Sequence, residues 1–405
     1  MGNRMRKLSQ WIDDRSPLLS IWKAHWSEYY VPKNLNVYYV FGSLALVVLV
    51  NQLLTGLWLM MFYTPTVTQA FSSVEMMMRD VNYGWLLRYM HSTGASVLLI
   101  VIYLHMFRGL LYGSYQKPRE LVWLIGMGLF YLLLIEAFFG YLLPWGQMSY
   151  WGAQVFTSLI GAIPYVGKTL MNWVRGDYAV ANATLHRFFA LHVMGVPFLI
   201  VFLVYLHVIA LHKVGSNNPE GIDIKKYVDK QGRPLDGIPL HPYYTLKDAF
   251  AIILCSIGFF AVVFFVPDLG GYFLEPDNFA PANPMMTPDH IAPVWYMAPF
   301  YAILRAVPSQ LGGIVLMGCS MVLLLFMPWI DKSPVRSMRY KGQYSRIALT
   351  LFCASFLMLG YLGTVEVTPF KQYLARIASC TFFAYFILMP FYSRFEHHRP
   401  VPERI

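Results

Sequence analysis

Charged residues are scarce in this chain, and their scarcity indicates its class. Only 13% of the 405 residues are charged, whereas 57% are hydrophobic. Soluble domains are about one quarter charged, so a deficit over this length predicts a polytopic membrane protein. No Pro/Ser-rich linker or low-complexity segment divides the chain, and we therefore expect one membrane unit rather than several soluble domains.

Cysteine is also scarce, and its positions exclude several kinds of site. The four cysteines lie in apolar runs, and the chain has no CxxC or CxxCH motif. Structural disulfides, zinc ribbons and covalently attached c-type haem are therefore not expected, and we interpret the cysteines as small buried hydrophobic residues. The polar N-terminal segment predicts neither a cleaved signal peptide nor myristoylation.

Apolar runs long enough to cross a bilayer, which takes about 20 residues, occur eight times. The sequence thus predicts an all-α polytopic membrane protein with eight transmembrane helices, at residues 37–62, 85–111, 121–143, 184–211, 248–267, 310–330, 345–365 and 373–392. Aromatic and charged residues at near-helical spacing predict a preceding interfacial helix at 16–30. We divide the chain into a tail with this helix, four crossings, a loop and a four-span region, at 1–36, 37–211, 212–247 and 248–405.

Basic residues are concentrated in both tails and in alternate loops. By the positive-inside rule, both termini are cytoplasmic. The net charge of +10 therefore reflects topology, and we expect no nucleic-acid partner. The opposite loops 144–183 and 267–307 are rich in Pro, Gly and aromatic residues, which predicts short helices packed on the outer membrane face.

Two of the predicted crossings carry histidine pairs. His91 and His105 lie fourteen residues apart in the second crossing, and His192 and His207 lie fifteen apart in the fourth. These two helices run in the same direction, so each contributes one histidine at an outer level and one about 21–22 Å deeper. A single buried histidine is more often a hydrogen-bonded residue than a ligand, but matched pairs predict two bis-histidine haems.

The helical faces test this interpretation. Each residue of an α-helix turns by about 100°, so an interval of fourteen residues leaves His91 and His105 on one face. An interval of fifteen residues places His207 about 60° beyond the face of His192. A bulge or kink near Gly195 and Pro197 would absorb the extra residue.

The fourteen-residue interval recurs in glycines of the first and third crossings, and two arginines lie three residues from the second-helix histidines. The glycines could admit a flat macrocycle, although close helix packing is the simpler explanation. The arginines could pair with haem propionates or merely snorkel. These residues are Gly42, Gly56, Gly126, Gly140, Arg88 and Arg108.

Several stretches resemble cytochrome b of the respiratory cytochrome bc complexes, the quinol:cytochrome c oxidoreductases, in its proteobacterial form. They include RYMHSTGASVLLIVIYLHMFRG, GYLLPWGQMSYWGAQV, LHKVGSNNP, YYTLKDAF and PVWYMAPFYAILRAVPSQLGG, and they extend over residues 30 to 315 in the family's order. The resemblance implies that the first four crossings form a dihaem bundle with two non-covalent b-type haems. The outer pair would bind the low-potential haem and the inner pair the high-potential haem.

The resemblance also implies two quinone sites. Quinol would be oxidised near the outer haem, at Tyr141, Pro293, Trp295, Tyr296 and part of loop 267–307. Quinone would be reduced near the inner haem, where the family's residues correspond to His212, Ser216, Lys247 and Asp248. One quinol electron would pass to a mobile Rieske iron–sulfur subunit and a membrane-anchored cytochrome c subunit, and the other through both haems to the inner quinone. Proton translocation, a homodimeric complex and a bacterial inner (cytoplasmic) membrane are implied as well.

One departure from the family concerns proton acceptance. The family's PEWY motif reads PVWY here, with Val294 where the family has a glutamate. We expect Glu136, aided by Tyr296, to accept the quinol protons instead, with Asp289 as second choice. Alternatively, Glu136 is paired with a neighbouring hydroxyl or backbone group.

Two rival functions remain. In a transporter, the histidines would relay protons and no b-type haem spectrum would be observed. A simple dihaem anchor would pass electrons for another enzyme and would be insensitive to inhibitors of an outer quinol site.

Overall fold

The computed structural model describes residues 2–405, with side chains from residue 7 onward, and nearly all of its regular structure is helical. The elements, in chain order, are α1 (Gly2–Asp13), α2 (Leu18–Trp22), β1 (Tyr30–Pro32), α3 (Phe41–Met60), α4 (Ala70–Arg79), α5 (Gly84–Tyr112), α6 (Glu120–Leu142), α7 (Gln147–Gly161), α8 (Gly167–Arg175), α9 (Asn182–Ala190), α10 (Val196–Val214), β2 (Gly237–Pro239), α11 (Thr245–Phe265), α12 (Ala298–Ala306), α13 (Gln310–Leu325), α14 (Met327–Ile330), α15 (Gln343–Thr364) and α16 (Pro369–Phe395).

Seven helices within the described residues are long and apolar enough to cross a membrane, and they coincide with seven of the eight predicted crossings. The remaining one, predicted at 310–330, consists of the shorter α13 followed by α14. Pro328 lies in the first turn of α14, where a proline is tolerated, whereas it would break the interior of one continuous helix. The all-α membrane fold is therefore confirmed, and eight crossings is an approximate count.

The first four long helices form two layers. Helix α3 packs along α5, whereas α6 packs along α10, and the two pairs make few contacts with each other. Polar side chains join α3 to α5: Gln52 Nε2 donates to the His91 carbonyl at 2.9 Å, and Asn51 Nδ2 donates to the Met90 carbonyl at 3.2 Å. Such bonds satisfy polar groups that lipid cannot.

The C-terminal helices α12, α15 and α16 pack together around buried aromatic rings. Phe352 stacks on Tyr385 with ring centres 4.5 Å apart and also lies against Phe382 and Phe386. The four cysteines are free; Cys319 and Cys380 are exposed and the other two are half-buried. The prediction of buried cysteines is wrong for the exposed pair, because an apolar residue of a membrane helix can face lipid as well as the core.

The N-terminal segment and the loop 212–247 are joined by a small antiparallel ladder that the sequence did not predict. Strand β1 pairs with β2, with Val31 opposite Ile238. The predicted interfacial helix at 16–30 is present as α2 and a π-helical turn, Lys23–Ser27. The outer loops contain short helices as predicted: α7 and α8 in the first, and α12 with a 3₁₀ turn, Pro276–Phe279, in the second.

Candidate functional site

The structure brings the four predicted histidines together as two facing pairs. The ring centres of His91 and His192 lie 6.1 Å apart, and those of His105 and His207 lie 6.5 Å apart. A metal between two imidazoles, with bonds of about 2 Å and about 1 Å from each nitrogen to its ring centre, would set the ring centres about 6 Å apart. Both pairs therefore have the spacing of two axial ligands.

A π-helical turn absorbs the extra residue in the fourth crossing. The helix from α9 to α10 is interrupted at Leu191–Gly195, a five-residue turn that contains His192. A π turn inserts one residue into an α-helix and changes the facing of the residues beyond it. The bulge predicted near Gly195 is confirmed, and it allows His192 and His207 to reach the same side despite their fifteen-residue interval.

Each of the four glycines faces the ring of one histidine. A Cβ added at Gly56 would lie 3.1 Å from His91 Cε1, and one at Gly126 would lie 3.1 Å from His207 Cε1. At Gly42 the nearest atom would be His105 Cε1 at 3.4 Å, and Gly140 lies closest of all to its histidine, His192. The space left by the missing side chains is thus next to the imidazole rings, which explains why glycines and histidines have the same spacing.

Hydrogen bonds fix the outer histidines with Nδ1 protonated. The Thr55 hydroxyl donates to the Asn51 carbonyl at 2.6 Å and so accepts from His91 Nδ1 at 2.9 Å. His192 Nδ1 donates to the Glu136 carboxylate Oε1 at 2.9 Å and to the Glu136 carbonyl at 3.0 Å. Both rings therefore keep the Nε2 lone pair free for a metal.

The inner histidines differ in this respect. Nδ1 of His105 is buried without a hydrogen-bond partner within the described residues, and the buried His207 ring meets only the backbone of Val122 as a hydrogen-bond partner there. The donor sets at both levels fit bis-histidine haem, because neutral imidazoles are the ligands that such haems use.

The two arginines near the histidines have unused hydrogen-bonding capacity. Arg108 donates to Ser114 Oγ at 3.3 Å and lies over the Tyr39 ring at 5.0 Å, but its Nε is buried and meets no acceptor in the described part of the chain. Arg88 is half-buried. Buried guanidinium groups with free donors suit an anionic ligand such as a carboxylate.

Two hydrogen bonds join the PVWY segment, residues 293–296, to α5. The Trp295 indole donates to Ser96 Oγ at 3.1 Å, and the Tyr103 hydroxyl donates to the Tyr296 carbonyl at 2.6 Å. Val294 is buried against the main core, which contains both tyrosines, and Pro293 precedes it at the edge of that core. The segment therefore lies beside the helix that carries two of the histidines.

Glu275, a carboxylate of the loop 267–307, lies next to Tyr141. The Tyr141 hydroxyl donates to Glu275 Oε2 at 3.0 Å, and Asn278 Nδ2 donates to both the hydroxyl and Glu275, at 3.0 and 3.2 Å. Burial raises the pKa of Glu275 above its ordinary value. Since Tyr141 and Glu275 are 134 residues apart, no sequence pattern could pair them.

The residues predicted for an inner quinone site form two groups. His212 stacks on Tyr29 with ring centres 4.4 Å apart, and its Nδ1 lies 2.8 Å from His25 Nδ1. Asp248 Oδ2 accepts from Ser43 Oγ at 2.6 Å, while its Oδ1 is buried without a partner among the described residues.

The other two residues predicted for the inner site flank these groups. Ser216 lies beside the Tyr29 hydroxyl, and the Lys247 ammonium lies 5.7 Å from the centre of the Tyr244 ring. His212 lies in the last turn of α10, which also carries His207, and Ser43 follows Gly42, which faces His105.

Comparisons with known proteins identify the family of the chain. A family model described as cytochrome b/b6/petB matches residues 26–215, and one described as cytochrome b(C-terminal)/b6/petD matches residues 281–383. The cytochrome b of Allochromatium vinosum is 56% identical over 405 residues, which covers 98% of this chain and 97% of that one. The chain belongs to the cytochrome b family. The Rickettsia bellii cytochrome b is 50% identical, over 98% of this chain and 96% of its own.

A solved structure, a hyperthermophilic respiratory complex III, matches with a TM-score of 0.88 and 38% identity, covering 96% of this chain and 99% of its own. Cytochrome b is a subunit of complex III, the quinol:cytochrome c oxidoreductase. The resemblance to cytochrome b that the sequence indicates is therefore confirmed. The chain is therefore an integral membrane protein of respiratory electron transport, and the family implies haem binding and a quinone site within a multi-subunit complex.

Proposed function

We propose that this chain oxidises quinol at an outer site, reduces quinone at an inner site and holds two b-type haems that connect the sites across the membrane. The observation that carries the proposal is the pair of facing histidine couples, with ring centres 6.1 and 6.5 Å apart, on helices that run in the same direction. Two chemically distinct groups of polar residues accompany them, one around Tyr141 near the end of α6 and one around His212 near the end of α10.

In this proposal, His91 and His192 bind the outer haem, and His105 and His207 bind the inner haem through Nε2. Bound haem supplies a one-electron carrier at each depth. The four glycines leave room for the imidazole rings of the histidines on the facing helices, because a Cβ added at each glycine would contact one of these rings. Arg88 and Arg108 would pair with the anionic propionates, which would use their free guanidinium donors.

Quinol oxidation requires proton acceptors at the outer site. Glu136, the acceptor predicted from the sequence together with Tyr296, is the weaker candidate, because its carboxylate accepts a hydrogen bond from His192 Nδ1. Glu275 is the stronger one, because it is hydrogen-bonded to Tyr141 and because burial raises its pKa toward the pH at which a base works best. Burial, and secondly the Glu275 charge, also raise the pKa of Tyr296. Asp289 is exposed, which makes it the weakest of the three.

Quinone reduction at the inner site requires proton donors and hydrogen bonds to two carbonyl oxygens. We assign these roles to His212 and Asp248, with Ser216 and Lys247 completing the polar border. The buried, unpaired Oδ1 of Asp248 supports the assignment, since a protonated carboxyl there could donate to a quinone.

The proposal also covers the partner subunits of the chain and its orientation in the membrane. The chain would act with a Rieske iron–sulfur subunit and a membrane-anchored cytochrome c subunit, in a homodimeric complex of a bacterial inner membrane with both termini cytoplasmic. The positive-inside distribution of charge supports this orientation. Proton release outside and uptake inside would make electron transfer contribute to proton translocation.

The experiment is a potentiometric titration of the purified complex, combined with quinol:cytochrome c turnover. We expect two b-type components of different potential and turnover that an outer-site inhibitor abolishes. Two haems with turnover insensitive to such an inhibitor would favour the simple dihaem anchor. Absence of any b-type spectrum would favour the transporter.

A further inference from the structure

We propose that Glu136 is a positioning residue for His192, and that its carboxylate lowers the reduction potential of the outer haem relative to the inner one. The inference depends on the proposed bis-histidine ligation. It assigns to Glu136 a role that acts through the axial ligand rather than on the substrate.

The geometry at His192 supports this role. One turn of α6 contacts the ring in three ways: the Glu136 carbonyl and its carboxylate both accept from Nδ1, at 3.0 and 2.9 Å, and Gly140 leaves the space that the ring occupies. The side chains of His192 and Glu136 are only 16% and 17% exposed. A carboxylate on the distal nitrogen of a metal-bound imidazole fixes the ring and makes it a more basic ligand.

Glu136 has no alternative partner. Its Oε2 is buried without a hydrogen-bond partner among the residues that the structure describes, and no lysine or arginine there pairs with it. A carboxylate in an apolar region is costly unless it is paired. The imidazole of His192 is therefore the group that compensates Glu136, which is unlike a base kept free for substrate.

The other three histidines lack a comparable anionic partner. His91 Nδ1 meets the neutral hydroxyl of Thr55 at 2.9 Å, His207 meets the neutral backbone of Val122, and Nδ1 of His105 meets no partner in the described chain. A more basic ligand and a nearby negative charge stabilise the oxidised iron, because oxidation adds positive charge. The asymmetry between the two levels thus lowers the outer potential selectively.

The test is Glu136→Gln in the complete membrane complex, with redox titration of both haems and electron paramagnetic resonance of the oxidised haems. Glutamine keeps the size and the acceptor oxygen but removes the charge. We expect full haem content, an unchanged inner haem and a shift of the outer haem equilibrium toward the reduced form by tenfold or more, which is about 59 mV for one electron. A shift of the redox equilibrium of the outer haem by less than twofold, with both haems present, would overturn the inference.

Two further variants keep the result interpretable. Glu136→Asp retains the charge and should restore most of the wild-type potential, and Glu120→Gln, the same change at the other end of α6, should leave the outer haem unaffected. If Glu136→Gln loses the outer haem, its retention in Glu136→Asp would support the role of the charge. Loss in both variants would overturn that role in favour of simple packing. Wild-type complex without two b-type haems would instead refute the proposed function.

Discussion

The contact between Gly126 and His207 offers a sharp test of how the inner cofactor site is built, because the same helix contains a matched control. A Cβ at Gly126 would lie 3.1 Å from the imidazole, closer than ordinary packing permits, whereas one at Gly128 would lie 3.8 Å from Leu203 Cδ1, an ordinary contact. Alanine stabilises a helix interior by about 0.5–1 kcal/mol relative to glycine, and this gain applies to both variants. Comparison of the two therefore isolates the contact with the ring.

The magnitude follows from overpacking. An extra methyl group in a tight core costs about 1–3 kcal/mol, and every 1.4 kcal/mol is a factor of ten. We expect Gly126→Ala to retain the inner haem roughly 5- to 140-fold less tightly, with Gly128→Ala equal to wild type. By the same contacts, Gly42→Ala should be the mildest of the four glycine changes and Gly140→Ala the most severe.

The assay is haem retained per polypeptide after detergent dilution, with the two haems distinguished by their potentials. Equal retention of the inner haem in Gly126→Ala and Gly128→Ala would refute the reasoning. It would mean that the glycine does not make room for the ligand ring.

Three other predictions concern the polar groups. Glu275→Gln should slow quinol oxidation and remove the decline in rate at acidic pH, because a base with a raised pKa is lost. The control Asp277→Asn should change neither the rate nor its pH dependence. Equal pH–rate profiles for Glu275→Gln and wild type would exclude Glu275 as a base. Asp331 and Lys341 form a buried ion pair, so Asp331→Ala should destabilise the protein by about 3–5 kcal/mol in thermal unfolding. Burial alone would raise the pKa of Asp331, but Lys341 lowers it overall, so this stabilisation is present at neutral pH and should be lost as the pH falls below about 4; an unchanged melting temperature would contradict it. Asp248→Asn should slow reoxidation of the inner haem by quinone while leaving haem content intact, and wild-type reoxidation would remove Asp248 from that site.

Much of the fold was predictable because it depends on local patterns. Length and apolarity located the long helices, and the histidine intervals indicated both cofactor levels and the bulge that contains His192. The length of the crossing predicted at 310–330 is overestimated. An apolar run does not show that one helix ends before Pro328 and another begins there.

Contacts between distant segments could not be predicted. Tyr141 meets Glu275 across 134 residues, and Val31 of β1 pairs with Ile238 of β2 across more than 200 residues, so neither contact leaves a periodic signal. Glu136 lies one turn before Gly140 in α6, and both residues lie against His192. Only the structure showed that the carboxylate lies on Nδ1 of His192 rather than free in a pocket.

The central claim is that four histidines hold two haems at separate depths. Its most direct test is the number and potential of b-type haems in membranes that contain single alanine variants of His91, His192, His105 and His207. The account predicts that either of the first two changes removes only the outer, low-potential component, and either of the last two affects only the inner one. Retention of both components in any of the four variants would contradict it.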